Sequence, residues 1–135
     1  MIGVLVISHG AIGETLLASA EQILGAPQPQ VAALGVSRGD EPDAVLARAR
    51  ALVAALDAGD GLLVLTDMFG ATPCNVAARL LADGRVEGVS GVSLPMLVRV
   101  LSSRNGSLAA LVQRALSGGA EGVVHINTDR CGAKR

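Results

Sequence analysis

A single α/β domain with a mostly parallel sheet is the fold class this sequence predicts. Three observations carry that expectation. Apolar runs of five or six residues, rich in β-branched types, recur along the chain at Ile2 to Ile7, Val31 to Val36 and Leu62 to Thr66. Continuous apolar runs of that length fit strands buried on both faces. Segments with apolar residues at three- and four-residue steps lie between them, and strand-helix alternation at this spacing makes βαβ units. Breakers such as Gly25-Ala26-Pro27, Gly59-Asp60-Gly61 and Ala82-Asp83-Gly84 punctuate the alternation.

The first run ends in Ser8-His9-Gly10. A turn over Gly10 to Gly13 and a helix over Glu14 to Leu24 follow, the latter with Leu16, Leu17, Ala20, Ile23 and Leu24 on one face. After the second strand, Ser37 to Pro42 is a polar loop. Pro42 then opens a helix whose buried stripe is Val45, Ala49, Leu52 and Leu56. The third strand ends at Asp67. A helix over about Pro73 to Leu81, a weaker strand over Val86 to Val92 and a helix from Leu94 to Leu101 come next. Leu108, Leu111, Val112 and Ala115 mark a last helix, which Gly118-Gly119 is expected to stop. Gly122 to Ile126 reads as a short final strand, and Asn127 to Arg135 as a polar, frayed tail. Residues 1–126 thus form one domain. Crossovers should be right-handed. Spacing alone leaves the strand order open.

Bulk properties exclude several classes. The 135 residues suffice for one real core. Half of them are apolar, net charge is −1, and no run of like charges forms a nucleic-acid footprint. Phe69 is the single aromatic, so a stacking surface for single-stranded nucleic acid is missing. Mean hydropathy is +0.51, yet no uncharged apolar segment approaches the ~20 residues of a spanning helix. The longest uncharged stretch, Gln22 to Ser37, holds two prolines and three glutamines. With no basic n-region either, the chain reads as soluble and cytoplasmic. Cys74 and Cys131 show neither disulfide nor metal spacing. No metal and no cofactor are expected. Low charge with high apolar content points to surface covered by a partner subunit.

Parallel strands place their carboxyl ends on one side of the sheet, and ligands of open α/β sheets bind there at a switch point. With a strand order of 2-1-3-4, His9 and Asp67 lie together at that crevice. A carboxylate that accepts from one ring nitrogen fixes the tautomer and leaves the other lone pair available. Thr72 is a good N-cap and Pro73 a good first helical residue. With Gly70 allowing close backbone approach, the free amides of that turn form an anion cradle. The Gly-X-Ser-X-Gly elbow, the Walker loop and the dinucleotide fingerprint are all absent. Histidine, aspartate and cradle together specify phosphoryl transfer to and from an imidazole. Taken singly, these residues have plainer readings: a turn histidine, a strand-end aspartate, an ordinary helix start. His125 reads as structural or surface, Cys74 as a small buried residue, and Arg99, Arg104 and Arg114 as solvated.

The runs Val6-Ile7-Ser8-His9-Gly10, Thr66-Asp67-Met68-Phe69-Gly70-Ala71-Thr72-Pro73-Cys74-Asn75 and Gly91-Val92-Ser93-Leu94-Pro95-Met96-Leu97 resemble, in order and spacing, the IIA component of the mannose/fructose/sorbose class of the bacterial phosphoenolpyruvate-dependent sugar phosphotransferase system (PTS). The chain departs from the family's usual pattern at Ala71, Cys74 and Ser93, where a second glycine, a large residue and an asparagine are common. A related phosphocarrier, the dihydroxyacetone-kinase subunit, shares the early histidine but has a different loop after the acidic residue. The resemblance implies a flavodoxin-like sheet of order 2-1-3-4 with helices on both faces. It implies a homodimer whose last strand, here Gly122 to Ile126, exchanges between subunits. His9 would be phosphorylated through Nε2, and Asp67 would orient it. Gly70, Ala71 and Thr72 would hold the phosphoryl group, while Ser8, Phe69, Ser93, Leu94, Pro95 and Met96 would form the partner-facing rim. Phospho-HPr would be the donor and a IIB component, not fused to this chain, the acceptor. Membrane association would then be indirect, through the permease. The alternatives are a regulatory protein whose phospho-His9 is read by a partner, or a phosphate-binding domain without covalent chemistry.

Overall fold

The computed structural model describes residues 1–129. Four strands, β1 (Gly3–His9), β2 (Val31–Val36), β3 (Leu62–Thr66) and β4 (Val86–Ser90), form one all-parallel sheet of order β2-β1-β3-β4. The helices are α1 (Ile12–Leu24), α2 (Pro42–Leu56), α3 (Thr72–Ala78), α4 (Leu94–Leu101) and α5 (Leu108–Glu121).

Alternation along the strands divides the core into two layers. Val4, Val6, Leu63 and Leu65 face one side, where Ala20, Leu97, Val100, Leu111 and Ala115 bring in α1, α4 and α5. Leu5, Ile7, Leu62 and Val64 face the other, against Val45, Leu46 and Ala49 of α2 and Val76 and Ala77 of α3. β1 and β3 are buried along their apolar lengths, which is why their sequences show no polar alternation. Each fully buried aliphatic side chain contributes roughly 1.5–3 kcal/mol.

Boundaries moved where tertiary contacts outweighed local signals. β1 continues through His9, because His9 pairs with Val36. Helix α1 begins at Ile12, two residues early, since the buried Ser8 hydroxyl accepts from Gly13 N–H at 2.8 Å and ties the strand end to the first helical turn. α3 is shorter than expected, and β4 stops at Ser90. The largest difference is at the C-terminus. Gly118-Gly119 does not stop α5, which runs on to Glu121. A Cβ on Gly118 would lie 3.3 Å from Met96 Cα, and one on Gly119 would lie 2.8 Å from Met96 Cε. These glycines serve close packing of α5 on α4. Residues 122–126 form no strand, because they follow α5 without lying against an edge of the sheet. Of the tail, residues 130–135 lie outside the described residues, Cys131 among them.

Arg104 also overturns its expectation. It is 3% exposed rather than solvated, and lies at the amino end of the sheet. Its Nη1 donates to Pro29 O at 2.7 Å and Ile2 O at 3.3 Å, and Nη2 to Gln28 Oε1 at 3.3 Å. Its own carbonyl accepts from Ile2 N–H at 3.0 Å. Burial pushes the guanidinium pKa down from its ordinary value, although an arginine stays charged. One side chain thus joins the α4–α5 loop, the start of β1 and the α1–β2 loop. Arg104→Ala should lower stability by about 2–4 kcal/mol, because it strands buried carbonyls. Arg104→Lys should recover only part, a point charge being unable to span three acceptors. Urea unfolding of the three proteins measures both effects.

Candidate functional site

The site grows out of the β1/β3 pairing. Ile7 is registered with Thr66, so the next residues of both strands leave the sheet side by side. Asp67 Oδ2 accepts the backbone N–H of His9 at 3.0 Å and faces His9 Nδ1 at 2.8 Å. One carboxylate oxygen therefore fixes both the backbone and the ring of His9. The His9 side chain is 49% exposed, whereas that of Asp67 is 11% exposed. The carboxylate is held in a wall and the imidazole stands in the opening. Burial pushes the Asp67 carboxyl up, but the His9 N–H and the His9 ring outweigh it, so its pKa lies below the ordinary value. An ionised carboxylate only accepts, so Nδ1 is the donor to it, and in the neutral ring the lone pair then lies on Nε2. Asp67 Oδ1 is buried and has no hydrogen-bond partner among the described residues.

A second clamp acts from β2. Gly10 N–H donates to Val36 O at 2.9 Å. A Cβ on Gly35 would lie 2.3 Å from Gly10 O, so only glycine lets the turn after His9 lie across β2. The sequence reading missed this role. The available signal was a glycine inside an otherwise apolar strand, which often marks close backbone approach.

The loop after Asp67 carries the expected cradle residues. Gly70 has φ +84°, in the region that favours glycine. Ala71 is extended, with φ −91° and ψ 174°, so a methyl group there brings no strain. The helix register differs by one residue from expectation. Ala71 is the N-cap, without a side-chain cap bond, and Thr72 and Pro73 are the first two helical residues. Pro73 is tolerated there because first-turn amides lack intrahelical acceptors in any case. Thr72 is exposed. Together with Pro42, Leu46, Asn75, Val76 and Arg79 it lines a crevice of about 270 Å³ between α2 and α3.

The expected rim is only partly a rim. Phe69 is 82% exposed, and Pro95 is exposed and Leu94 half-buried at the start of α4. Ser93 is the N-cap of α4, its Oγ accepting from Met96 N–H at 3.3 Å. Ser8 and Met96 are buried and face no opening. Ser8 holds the α1 turn, and Met96 packs in the core under α5. Cys74 is half-buried. Arg99 pairs with Glu121 rather than standing free in solvent, and Arg114 Nε reaches Ser103 Oγ at 3.4 Å. Among the described residues no cluster of metal-ligating side chains occurs, and no helix is long and apolar enough to cross a membrane.

Residues 3–116 match the family model described as the PTS system fructose IIA component, EIIA-man. The chain belongs to the mannose/fructose class of PTS IIA components. Its similarity to the mannose-specific EIIAB component of Escherichia coli is 35% identity over 125 residues, which is 90% of this chain and 38% of that protein. The chain thus spans well under half the length of that relative. The fructose-specific EIIA component of Bacillus subtilis is 31% identical over 105 residues, covering 77% of this chain and 71% of the relative. Among solved structures, EIIA from Streptococcus agalactiae superposes with a TM-score of 0.84 at 29% identity, over 95% of this chain and 99% of that one. The mannose/sorbose-specific IIA subunit from Enterococcus faecalis gives 0.83 at 26% identity, over 98% of each chain. The 2-1-3-4 sheet is therefore the family's fold.

The lowered Asp67 pKa has a pH consequence. A carboxylate whose folded pKa lies below its unfolded value stabilises the fold above the unfolded pKa. That contribution disappears as pH falls through the folded value. Asp67→Asn should flatten this acid limb. Urea midpoints of both proteins between pH 7 and pH 3 measure it, and an identical loss in the two would contradict the assignment.

Proposed function

We propose that this IIA component accepts a phosphoryl group on His9 Nε2 from phospho-HPr and passes it to a IIB component. The single observation that carries this reading is Asp67 Oδ2 at 2.8 Å from Nδ1, with the imidazole half exposed. In the transfer, the Nε2 lone pair attacks phosphorus as the P–N bond to the donor histidine breaks. The bonding pair returns to the donor ring. No proton need leave His9, because Nδ1–H stays hydrogen-bonded to Asp67, which stabilises the positive charge that develops on the substituted ring. Reversal of the step toward a IIB nucleophile delivers the group onward. Gly70, Ala71 and Thr72 are the residues we assign to the phosphoryl oxygens. Phe69 and the start of α4 belong to the surface that meets the partners.

We further infer a homodimer. β4 is an edge strand, and open edges invite pairing. Beside it runs an apolar groove of about 210 Å³ that includes Thr66, Phe69, Cys74, Leu81, Gly88 and Ser90. The Thr66 hydroxyl in it is buried and unpartnered. Val123, Val124 and Ile126 are 86%, 49% and 63% exposed in the segment read as a strand. The same segment of a second copy would cover the β4 edge and this apolar surface.

Incubation with phosphoenolpyruvate, enzyme I and HPr should add one acid-labile phosphoryl group, a gain of about 80 Da by intact mass. His9→Ala should abolish it; full labelling of that variant would overturn the assignment. Asp67→Ala should slow transfer by about 100-fold or more while the fold persists. Light scattering at micromolar concentration should give twice the chain mass, and Val124→Asp should reduce it to one.

A further inference from the structure

The site as described has one fixed anion, Asp67, and must receive a second when His9 is phosphorylated. The charged groups nearby determine what can offset it. His9 shares the strand parity of Leu5 and Ile7, so its ring belongs to the α2/α3 side of the sheet. The β2–α2 loop crosses that side. It leaves β2 at Val36, the residue registered with His9 and bonded to Gly10, and ends at Pro42, which lines the crevice shared with Thr72 and Asn75.

Every other charge on this loop and around this crevice is already committed. Asp40 accepts from Ser37 N–H at 2.8 Å and lies 3.8 Å from Arg48. Glu41 accepts from Asp43 N–H at 3.1 Å, capping α2. Asp43 pairs with Arg79, at 3.7 Å. Of the charged residues on this loop and around this crevice, Arg38 is the one with no hydrogen bond and no ion pair to a described residue, and it is exposed. Arg50 is also unpaired, but it stands eight residues along α2 from Pro42, about 12 Å down the helix axis.

We propose that Arg38 contacts the phosphoryl group carried by His9 and neutralises part of its charge. A guanidinium forms paired, charge-assisted hydrogen bonds with phosphoryl oxygens. Asx and backbone bonds of the loop, Ser37 N–H to Asp40 Oδ2 and Asp40 N–H to Ser37 O at 3.0 Å, hold the turn from which Arg38 projects. Its long stem lets the charge follow the group as it arrives. Free His9 needs no such partner, which accounts for a cation left unpaired in this state.

This inference rests on the phosphoryl-transfer reading of His9, and the test separates the two. The equilibrium constant between phospho-HPr and phospho-His9 depends only on the end states, so contacts made during docking cancel from it. Arg38→Ala should shift that equilibrium away from phospho-His9 by about tenfold, the scale of one charge-assisted contact. Arg38→Lys should recover part of the shift, and Arg50→Ala should produce none. An unchanged equilibrium in Arg38→Ala overturns the proposal, whether transfer rates fall (a docking contact) or stay the same (a spectator). A wild-type protein that takes no phosphoryl group at all overturns the underlying reading, and this one with it.

Discussion

The double acceptance by Asp67 Oδ2 is the constraint on which the site depends. A carboxylate that bonded only the ring would leave the His9 backbone free to turn, and one that bonded only the backbone would leave the ring free to rotate. Both bonds together make the imidazole's position a consequence of sheet register. That demands β1 and β3 be adjacent and parallel, with Ile7 opposite Thr66. A one-residue slip of either strand would turn its own terminal side chain to the opposite face. The apolar runs keep both strands buried, and the polar bonds at their carboxyl ends hold the register.

The two ends of the sheet divide the work. At the amino end, Arg104 gathers three chain segments by burying its charge among carbonyls. Gln30 Nε2 donates there to Leu56 O at 3.0 Å. At the carboxyl end Asp67 Oδ1 and the Thr66 hydroxyl are buried without a partner among the described residues. Unsatisfied polar groups are costly where nothing is to be bound. Two such buried atoms lie beside His9, and a third, Arg104 Nε, lies at the opposite end.

The centre of the site was legible from sequence because His9 and Asp67 each end a continuous apolar run, and strand ends in a parallel sheet share one side. Features that depend on contact between distant elements were not. Ser8 and Met96 sit in motifs next to site residues, yet alternation and helix packing bury both. Arg104 looked like any loop arginine, since its three acceptors come from segments about 75 to 100 residues away in sequence. Gly118-Gly119 has the composition of a helix stop, and only the approach of Met96 shows what the missing side chains permit. The segment 122–126 has the composition of a strand, but a strand is defined by its neighbour, and the chain alone does not supply one.

Electrostatics then links positioning to transfer. Asp67 aligns the imidazole and favours a positive ring, but the same charge repels an incoming phosphoryl group. A site built only from His9 and Asp67 would raise the cost of its own loaded state. Under the proposed function, neutral amides of the loop at Gly70 to Thr72 would offset part of that repulsion without adding a charge that would compete with Asp67 for the ring. A mobile cation offsets more, provided it is not bound to Asp67 beforehand. Under our proposal that is the reason Arg38 lies on the β2 side while Asp67 lies on β3, with His9 between them. On that reading, the anion that holds the ring and the cation that would receive the group are kept apart by the strand that carries His9. Neither can then neutralise the other in the empty state.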